Sequence, residues 1–294
     1  MNKKRNYACG PLVCQGKTAW KKRLGQHFLK DIGTLERLAA SISPSRDDLI
    51  VEIGAGTGAL TALLAQQAGC LIAIEIDPDC IPALEEALAG RTNVAVVRGD
   101  ILEVDIHGLI KPYLIQGKRL RFVGNLPYGV STAIIERLLR LRLPIQEMIF
   151  LVQLEVAERI TAAPGCKPYG YFSVYCQHYC EPRIGFRISP ACFIPRPKVM
   201  SATVSLKPRP ARWSAALEES FEEVVKAAFA HRRKTLANSM RYHAAIGPLA
   251  DEILHKAGID GALRPEQVPV CDYERLARIY IASCYTCGSE SRDR

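Results

Sequence analysis

The sequence predicts an α/β protein: a mainly parallel sheet with helices on both faces, followed by a smaller all-helical unit. Three observations predict it. Five apolar runs of strand length alternate with helical patterns between Asp48 and Ala163. The runs are apolar throughout rather than alternating, as strands buried on both faces must be. From about Ala215 the periodicity is helical only. At 294 residues and 48% hydrophobic content the chain has material for one large domain and a smaller one.

The units follow in order. DLIVEIG leads into ALTALLAQQA, CLIAIEID into CIPALEEALA, NVAVVRGD into a short segment, RLRFVGN into TAIIERLLRL, and EMIFLVQ into EVAERITAA. After YFSVYCQHYC come two more strand-like pieces, PRIGFRI and SATVSLK, and then the proline- and arginine-rich KPRPARW breaks the pattern. FEEVVKAAFA, RKTLANSM, LADEILHKAG and DYERLARIYIAS read as helices. We expect three parts: a basic segment over 1–30, the α/β domain over 31–210 and a helical domain over 211–294.

Charge and cysteines narrow the class. The net charge is +9, and the first thirty residues hold eight Lys or Arg and no Asp or Glu. Basic clusters return at GKRLR, RLLRLR, KPRPAR and HRRK, so a polyanion is the economical partner. No apolar run reaches the roughly 18 residues of a membrane span and no apolar signal segment follows the basic start, so a cytoplasmic protein without membrane contact is expected. The eleven cysteines are odd in number and scattered through apolar segments, as reduced thiols would be. The CxxC of Cys284 and Cys287 stands alone where a structural zinc site needs four ligands. The group Cys176, His178 and Cys180 is read as packing, since on a helix the histidine points away from both cysteines. No metal is expected. An even spread of charge without an apolar dimer stripe leans towards a monomer.

Ligands of such sheets bind beyond the carboxyl ends of the strands. There VEIGAGTGAL gives a strand, a glycine loop and a helix start, with Gly54, Gly56 and Gly58 allowing a ligand close to the backbone. The same spacing fits a nicotinamide site, with Glu75 about twenty residues on. Glu52, just before the loop, would repel a pyrophosphate and suits an amine or a water network. Glu75 offers two acceptors to a ribose diol and Asp100 an acceptor to an adenine amine, which together describe S-adenosylmethionine.

The fourth strand ends in Asn125-Leu126-Pro127-Tyr128. An exocyclic base amine is a poor nucleophile because its lone pair is delocalised into the ring. Acceptors that hold its N–H bonds favour the pyramidal form and so act most strongly in the transition state. Asn125 has an amide oxygen, Pro127 forces Leu126 to be extended and leaves a carbonyl facing the site, and Tyr128 offers a flat face for an unstacked base. No general base is required, because the amine protonated by attack is strongly acidic.

With RLGQHFL, VEIGAGTGALT, IEID, GDIL, VGNLPY, FIPRPKV and HRRKTLANSM, the chain resembles the ribosomal RNA adenine N6-dimethyltransferases from about Lys21 to Ala282. The resemblance implies a Rossmann-like methyltransferase domain with S-adenosylmethionine as cofactor, and a small helical domain that grips rRNA. It implies dimethylation of two adjacent adenines near the 3′ end of 16S rRNA in the small ribosomal subunit, with a role in subunit biogenesis. His27 and Leu29 would close over the methionine part of the cofactor, Gly54 would lie beside it, Glu75 would hold the ribose and Asp100 the adenine amine. Asn125 would touch both cofactor and target, with Tyr128 and Phe193 sandwiching the target adenine. Gly129, Leu154 and Met200 depart from the family pattern near the substrate loop, not at a cofactor residue. A large-subunit methyltransferase of the macrolide-resistance type and a ribosome-assembly factor acting by binding are the alternatives.

Overall fold

The computed structural model describes residues 26–210, 213–231 and 233–290. The expected basic segment therefore lies outside the described residues up to position 25, as does the side chain of Cys287. The chain opens with β1 (Phe28–Leu29) and α1 (Ile32–Ile42). Strand–helix units follow: β2 (Asp48–Ile53), α2 (Ala59–Leu64), β3 (Cys70–Glu75), α3 (Ile81–Ala87), β4 (Val94–Arg98), α4 (Ile106–Ile115), β5 (Arg119–Asn125), α5 (Ser131–Arg140), β6 (Ile145–Gln153) and α6 (Leu154–Thr161). Then come α7 (Tyr171–Tyr179), β7 (Cys180–Ile188), β8 (Phe193–Ile194), β9 (Ser201–Pro208), α8 (Ala215–Phe229), α9 (Leu236–Arg241), α10 (Ala250–Ala257) and α11 (Val270–Glu290).

Seven strands form one sheet in the order β4-β3-β2-β5-β6-β9-β7. Strands β2 to β6 run parallel, and only β9 is antiparallel to its neighbours β6 and β7. All six residues of β2 are buried, as a central strand requires. Its side chains alternate between two cores. Leu49, Val51 and Ile53 pack with Ile106 and Ile110 of α4 and Ile134, Ile135 and Leu138 of α5. Ile50 faces Leu35, Leu38 and Ile42 of α1 with Leu84 of α3. The chain moves outward from β2 to β4, then returns to place β5 on the other side of β2. The crevice of an open α/β sheet opens at such a reversal.

Two helices are longer than their sequence signal. The short segment after NVAVVRGD is the ten-residue α4, capped by Asp105, which accepts from Gly108 N at 3.1 Å, and carrying Pro112 inside it. Helix α1, ahead of the first strand-like run, is capped by Asp31, which accepts from Thr34 N at 2.9 Å.

We propose that the division of the chain falls at residue 210, as the sequence suggests. Helices α8 to α11 pack round Phe221, Val224, Leu236, Met240, Ile253, Tyr273 and Leu276, a core distinct from those of the sheet. That core also draws in Ala162, Tyr169 and Val174, so the helical unit is seated on α6 and α7. Polar bonds fix the seat: Tyr169 donates to the Val268 carbonyl at 2.9 Å, and His178 lies 2.8 Å from Glu274 and 3.2 Å from Glu218. Cys176 and Cys180 are fully buried in the neighbouring sheet core.

Candidate active site

A cavity of about 440 Å³ opens at the carboxyl ends of the parallel strands. Gly54 and Gly56 after β2, Glu75 ending β3, Asp100 after β4 and Asn125 to Tyr128 after β5 all line it, with His27 from the segment before β1. The sheet thus gathers residues spread over about a hundred positions of sequence, because parallel strands present all their ends on one edge.

The glycine loop allows close approach. Gly56 has φ 57°, and a Cβ there would lie 2.9 Å from the Phe28 ring. Gly124 carries the same demand inside β5, where a Cβ would lie 2.2 Å from the Ile53 carbonyl oxygen. Glu75 is buried, and its carboxylate accepts from Gly56 N at 2.7 Å, Asp77 N at 2.8 Å and Gln26 Nε2 at 3.4 Å. A carboxylate has about four lone-pair sites, so acceptor capacity remains for a diol. Burial pushes the Glu75 carboxyl up, and the backbone bonds pull against that. Asp100 accepts from Leu102 N through Oδ1 at 2.8 Å, and its second oxygen takes no bond from the described residues.

Asn125 Nδ2 donates to the His27 carbonyl at 2.7 Å. This bond fixes which end of the amide is which and leaves the oxygen available. The Leu126 N–H goes to the Leu151 carbonyl at 3.0 Å, whereas the Leu126 carbonyl accepts no bond from the described residues. Two unengaged oxygens thus stand at the end of β5, the pair of acceptors an exocyclic amine would meet. Beside them the Tyr128 hydroxyl lies 2.5 Å from Ser201 Oγ, which pins the ring. His27 packs 4.9 Å from that ring, and its Nδ1 donates to the Pro195 carbonyl at 2.6 Å.

Leu29 and Phe193 are placed differently. They pair directly across the short β1–β8 ribbon, and both are buried in the core shared with α1 and α2. Phe193 is 1% exposed and does not line the cavity. Leu29 lines only a neighbouring pocket of about 50 Å³, together with Glu52, Leu60 and Asn125. The ribbon instead presents Phe28, its alternate residue, to both spaces.

Residues beyond those singled out in the sequence also line the cavity: Gln26, Phe28, Ile76, Ile101 and Leu102. Each sits inside a motif already noted, in GQHFL, IEID or GDIL. Ile76 carried the clearest signal, an isoleucine set between two acids at a strand end, and it is 40% exposed. Together with Ile101 and Leu102 it gives the Asp100 side an apolar wall suited to a base.

The residues fit S-adenosylmethionine on a further observation. Glu52 is buried, and its Oε2 has no hydrogen-bond partner. Burial pushes its pKa up to about 8; the nearby Thr61 hydroxyl offsets part of this without a bond of full hydrogen-bond geometry, and Glu75 adds to the rise. An orphaned carboxyl beside the glycine loop is what an ammonium-bearing cofactor, directly or through water, would satisfy.

Comparison with known proteins decides the family. Residues 17–281 match the family model described as ribosomal RNA adenine dimethylase. The chain belongs to the ribosomal RNA adenine dimethylase family. It is 39% identical over 258 residues, 88% of this chain and 96% of the relative, to ribosomal RNA small subunit methyltransferase A of Methylococcus capsulatus. It is 42% identical over 265 residues, 88% of this chain and 96% of the relative, to the protein of that name from Legionella pneumophila. Among solved structures, a dimethyladenosine transferase from Plasmodium falciparum shares the fold with a TM-score of 0.72 at 22% identity, over 85% of this chain and 96% of that one. The 23S rRNA methyltransferase ErmE matches with a TM-score of 0.65 at 27% identity, over 86% and 99%. As a dimethylase of this family the chain is an S-adenosylmethionine-dependent enzyme with a Rossmann-like core. No helix among the described residues is long and apolar enough to cross a membrane.

Proposed function

We propose that the protein dimethylates N6 of two adjacent adenines near the 3′ end of 16S rRNA, acting as a monomer on the small ribosomal subunit in the cytoplasm during its biogenesis. The observation that carries the reading is the end of β5, where the Asn125 amide oxygen and the Leu126 carbonyl stand unengaged beside Tyr128 and the cofactor cavity. Relatives named small subunit methyltransferase A, at about 40% identity over most of the chain, favour the small subunit over the large.

S-adenosylmethionine supplies an electrophilic methyl group. Glu75 holds the ribose, Asp100 the adenine amine, and Gly54 lets the cofactor approach the backbone. His27 and Gln26 close the cavity, His27 also orienting Asn125 through its carbonyl. Asn125 and the Leu126 carbonyl accept the two N–H bonds of the target amine and favour its pyramidal, nucleophilic form. Pro127 keeps Leu126 extended, and Tyr128 supports the unstacked base; such stacking is worth about 1–3 kcal/mol, comparable with the cost of extruding it. Leu29 and Phe193 act from behind the cavity wall, holding Phe28 and the following loop in place.

The test is transfer of labelled methyl from S-adenosylmethionine to unmethylated small subunits, with large subunits in parallel, followed by nucleoside analysis. Dimethyladenosine in the small subunit is expected. Label confined to the large subunit would move the protein to the resistance type, and tight subunit binding without label would make it an assembly factor.

A further inference from the structure

Two of the basic clusters are not used by the methyl-transfer site. RLLRLR closes α5 with Arg142 just beyond it, and the described part of KPRPAR, Lys207 to Pro210, ends β9 and leaves it. They converge, some seventy residues apart in sequence, on a second cleft of about 510 Å³. It lies at the opposite edge of the sheet, where β6 and β7 begin and β9 ends. A nine-residue strand at about 3.3 Å per residue puts roughly 30 Å between this cleft and the carboxyl-end cavity.

Three exposed guanidinium groups border the cleft: Arg142, Arg209 and Arg278. Among the described residues none of them is ion-paired within 4 Å of a carboxylate, whereas Arg119 and Arg121 elsewhere on the amino edge of the sheet are; Arg209 Nε donates to the Cys180 carbonyl at 3.4 Å. The acids in the lining are already committed, since Glu218 and Glu274 both hold His178. Arg142 is held at φ 48°, one residue past the Leu141 cap of α5. The walls are flat and aromatic. Trp213 is half-buried with the Arg278 guanidinium 4.6 Å over its ring, and Tyr179 lies alongside. Leu138, Leu143 and Ile145 make an apolar floor.

Guanidinium groups without a carboxylate partner bind phosphate, and aromatic or guanidinium planes stack bases; the two together are the chemistry of single-stranded RNA. A cleft of this size accepts one nucleotide with its flanking phosphates. We propose that it is a second RNA-binding site, which takes an unpaired nucleotide of the substrate rRNA against the Arg278–Trp213 layer while Arg142 and Arg209 hold the adjoining phosphodiesters. This rests on the rRNA reading above. It makes the protein grip its substrate at two edges of the sheet, so that RNA affinity is set away from the chemistry.

The test uses the full chain with Trp20→Phe, leaving Trp213 as the fluorophore. Quenching by a short single-stranded RNA is titrated at several salt concentrations, against 5′-AMP and inorganic phosphate. RNA is expected to quench, and Arg142→Gln, Arg209→Gln and Arg278→Gln combined should abolish quenching. Arg142→Gln and Arg209→Gln together, with Arg278 and Trp213 kept, should lower the salt slope of the remaining quenching by about one to two, since a phosphate contact on a single strand contributes about 0.7. Lysines at the three positions should restore the slope. S-adenosylmethionine affinity and turnover at saturating RNA should be unchanged, with KM raised. Quenching that survives the triple substitution, or that 5′-AMP produces as well as RNA, overturns the proposal. Failure of methyl transfer with quenching intact would instead count against the rRNA-methylation reading alone.

Discussion

The strand-end loops and the β1–β8 ribbon both border the site, and they were built by different rules. Gly54, Glu75, Asp100 and Asn125 each end or follow a strand of one parallel sheet and all reach the cavity. Leu29 and Phe193 lie on two-residue strands paired across more than 160 positions, and both turn into the core. The sheet fixes the first group to within the precision of its ladder. The ribbon is fixed only by its own pairing and by what packs behind it, so it is the part that substitution and ligand binding can separate from the rest.

The largest effect is expected in the loops. Asn125→Ala removes an acceptor whose bond strengthens as the amine pyramidalises, and turnover should fall about 10²- to 10³-fold, as when a transition-state hydrogen bond is deleted elsewhere. S-adenosylmethionine affinity, measured by calorimetry, should change much less. A variant that methylates at the normal rate would remove the chemical role of the β5 end.

Glu52 sharpens the comparison from the stability side, because it sits on the face of β2 that looks towards the ribbon's core. Its pKa is raised to about 8 in the folded chain, so the folded state holds a proton that the unfolded state releases once the pH passes about 4.5. Stability therefore falls as pH rises through that window, and the deficit is complete above pH 8. Glu52→Gln should raise the melting temperature of the cofactor-free protein, with no gain near pH 4 and a gain of a few kcal/mol by pH 8. The same change should weaken S-adenosylmethionine binding, since an amide cannot give up a proton and take on charge when the ammonium arrives. A gain independent of pH would show that the carboxyl is not neutral at pH 7.

Glu75→Gln should cost less. The amide keeps one acceptor but turns an NH₂ towards Gly56 N or Asp77 N, leaving one buried N–H unpaired at about 1–3 kcal/mol of folding stability, and the loss of an acceptor for the ribose diol should weaken cofactor binding. Turnover at saturating cofactor should be nearly unchanged. A loss in turnover instead would assign Glu75 to the transferring end of the cavity.

How much of this was legible follows the same division. Buried parallel strands announce themselves as unbroken apolar runs, and their ends mark where polar residues such as Glu75 and Asp100 will gather, so the sheet and one edge of the site could be read in order. Helix α4 was read only as a short segment because Gly108 and Pro112 interrupt its period, although the Asp105 cap starts it firmly. Gln26 and Phe28 were inside a motif whose flanking residues drew attention, yet which alternate residue of a two-residue strand faces a cavity depends on its distant partner. The seat of the helical unit was equally hidden. His178 is held by Glu218 and Glu274, 40 and 96 positions away, and nothing local in the sequence pairs it with either.

The smallest effect is expected on the ribbon. Phe193→Leu keeps an apolar side chain of similar bulk in the core and removes the aromatic face. With Phe193 packed behind the wall, the melting temperature should reflect a loss under about 1.5 kcal/mol, as volume-conserving core changes do. S-adenosylmethionine affinity should hold and turnover should fall less than tenfold. Phe193→Ala leaves a void and should cost about 3–5 kcal/mol of stability, which separates packing from stacking. If Phe193→Leu instead abolished turnover with stability and cofactor binding intact, the ribbon would have to open on RNA binding and lay the ring against the target adenine opposite Tyr128. The Leu29–Phe193 pair would then be a latch rather than a wall, released by substrate.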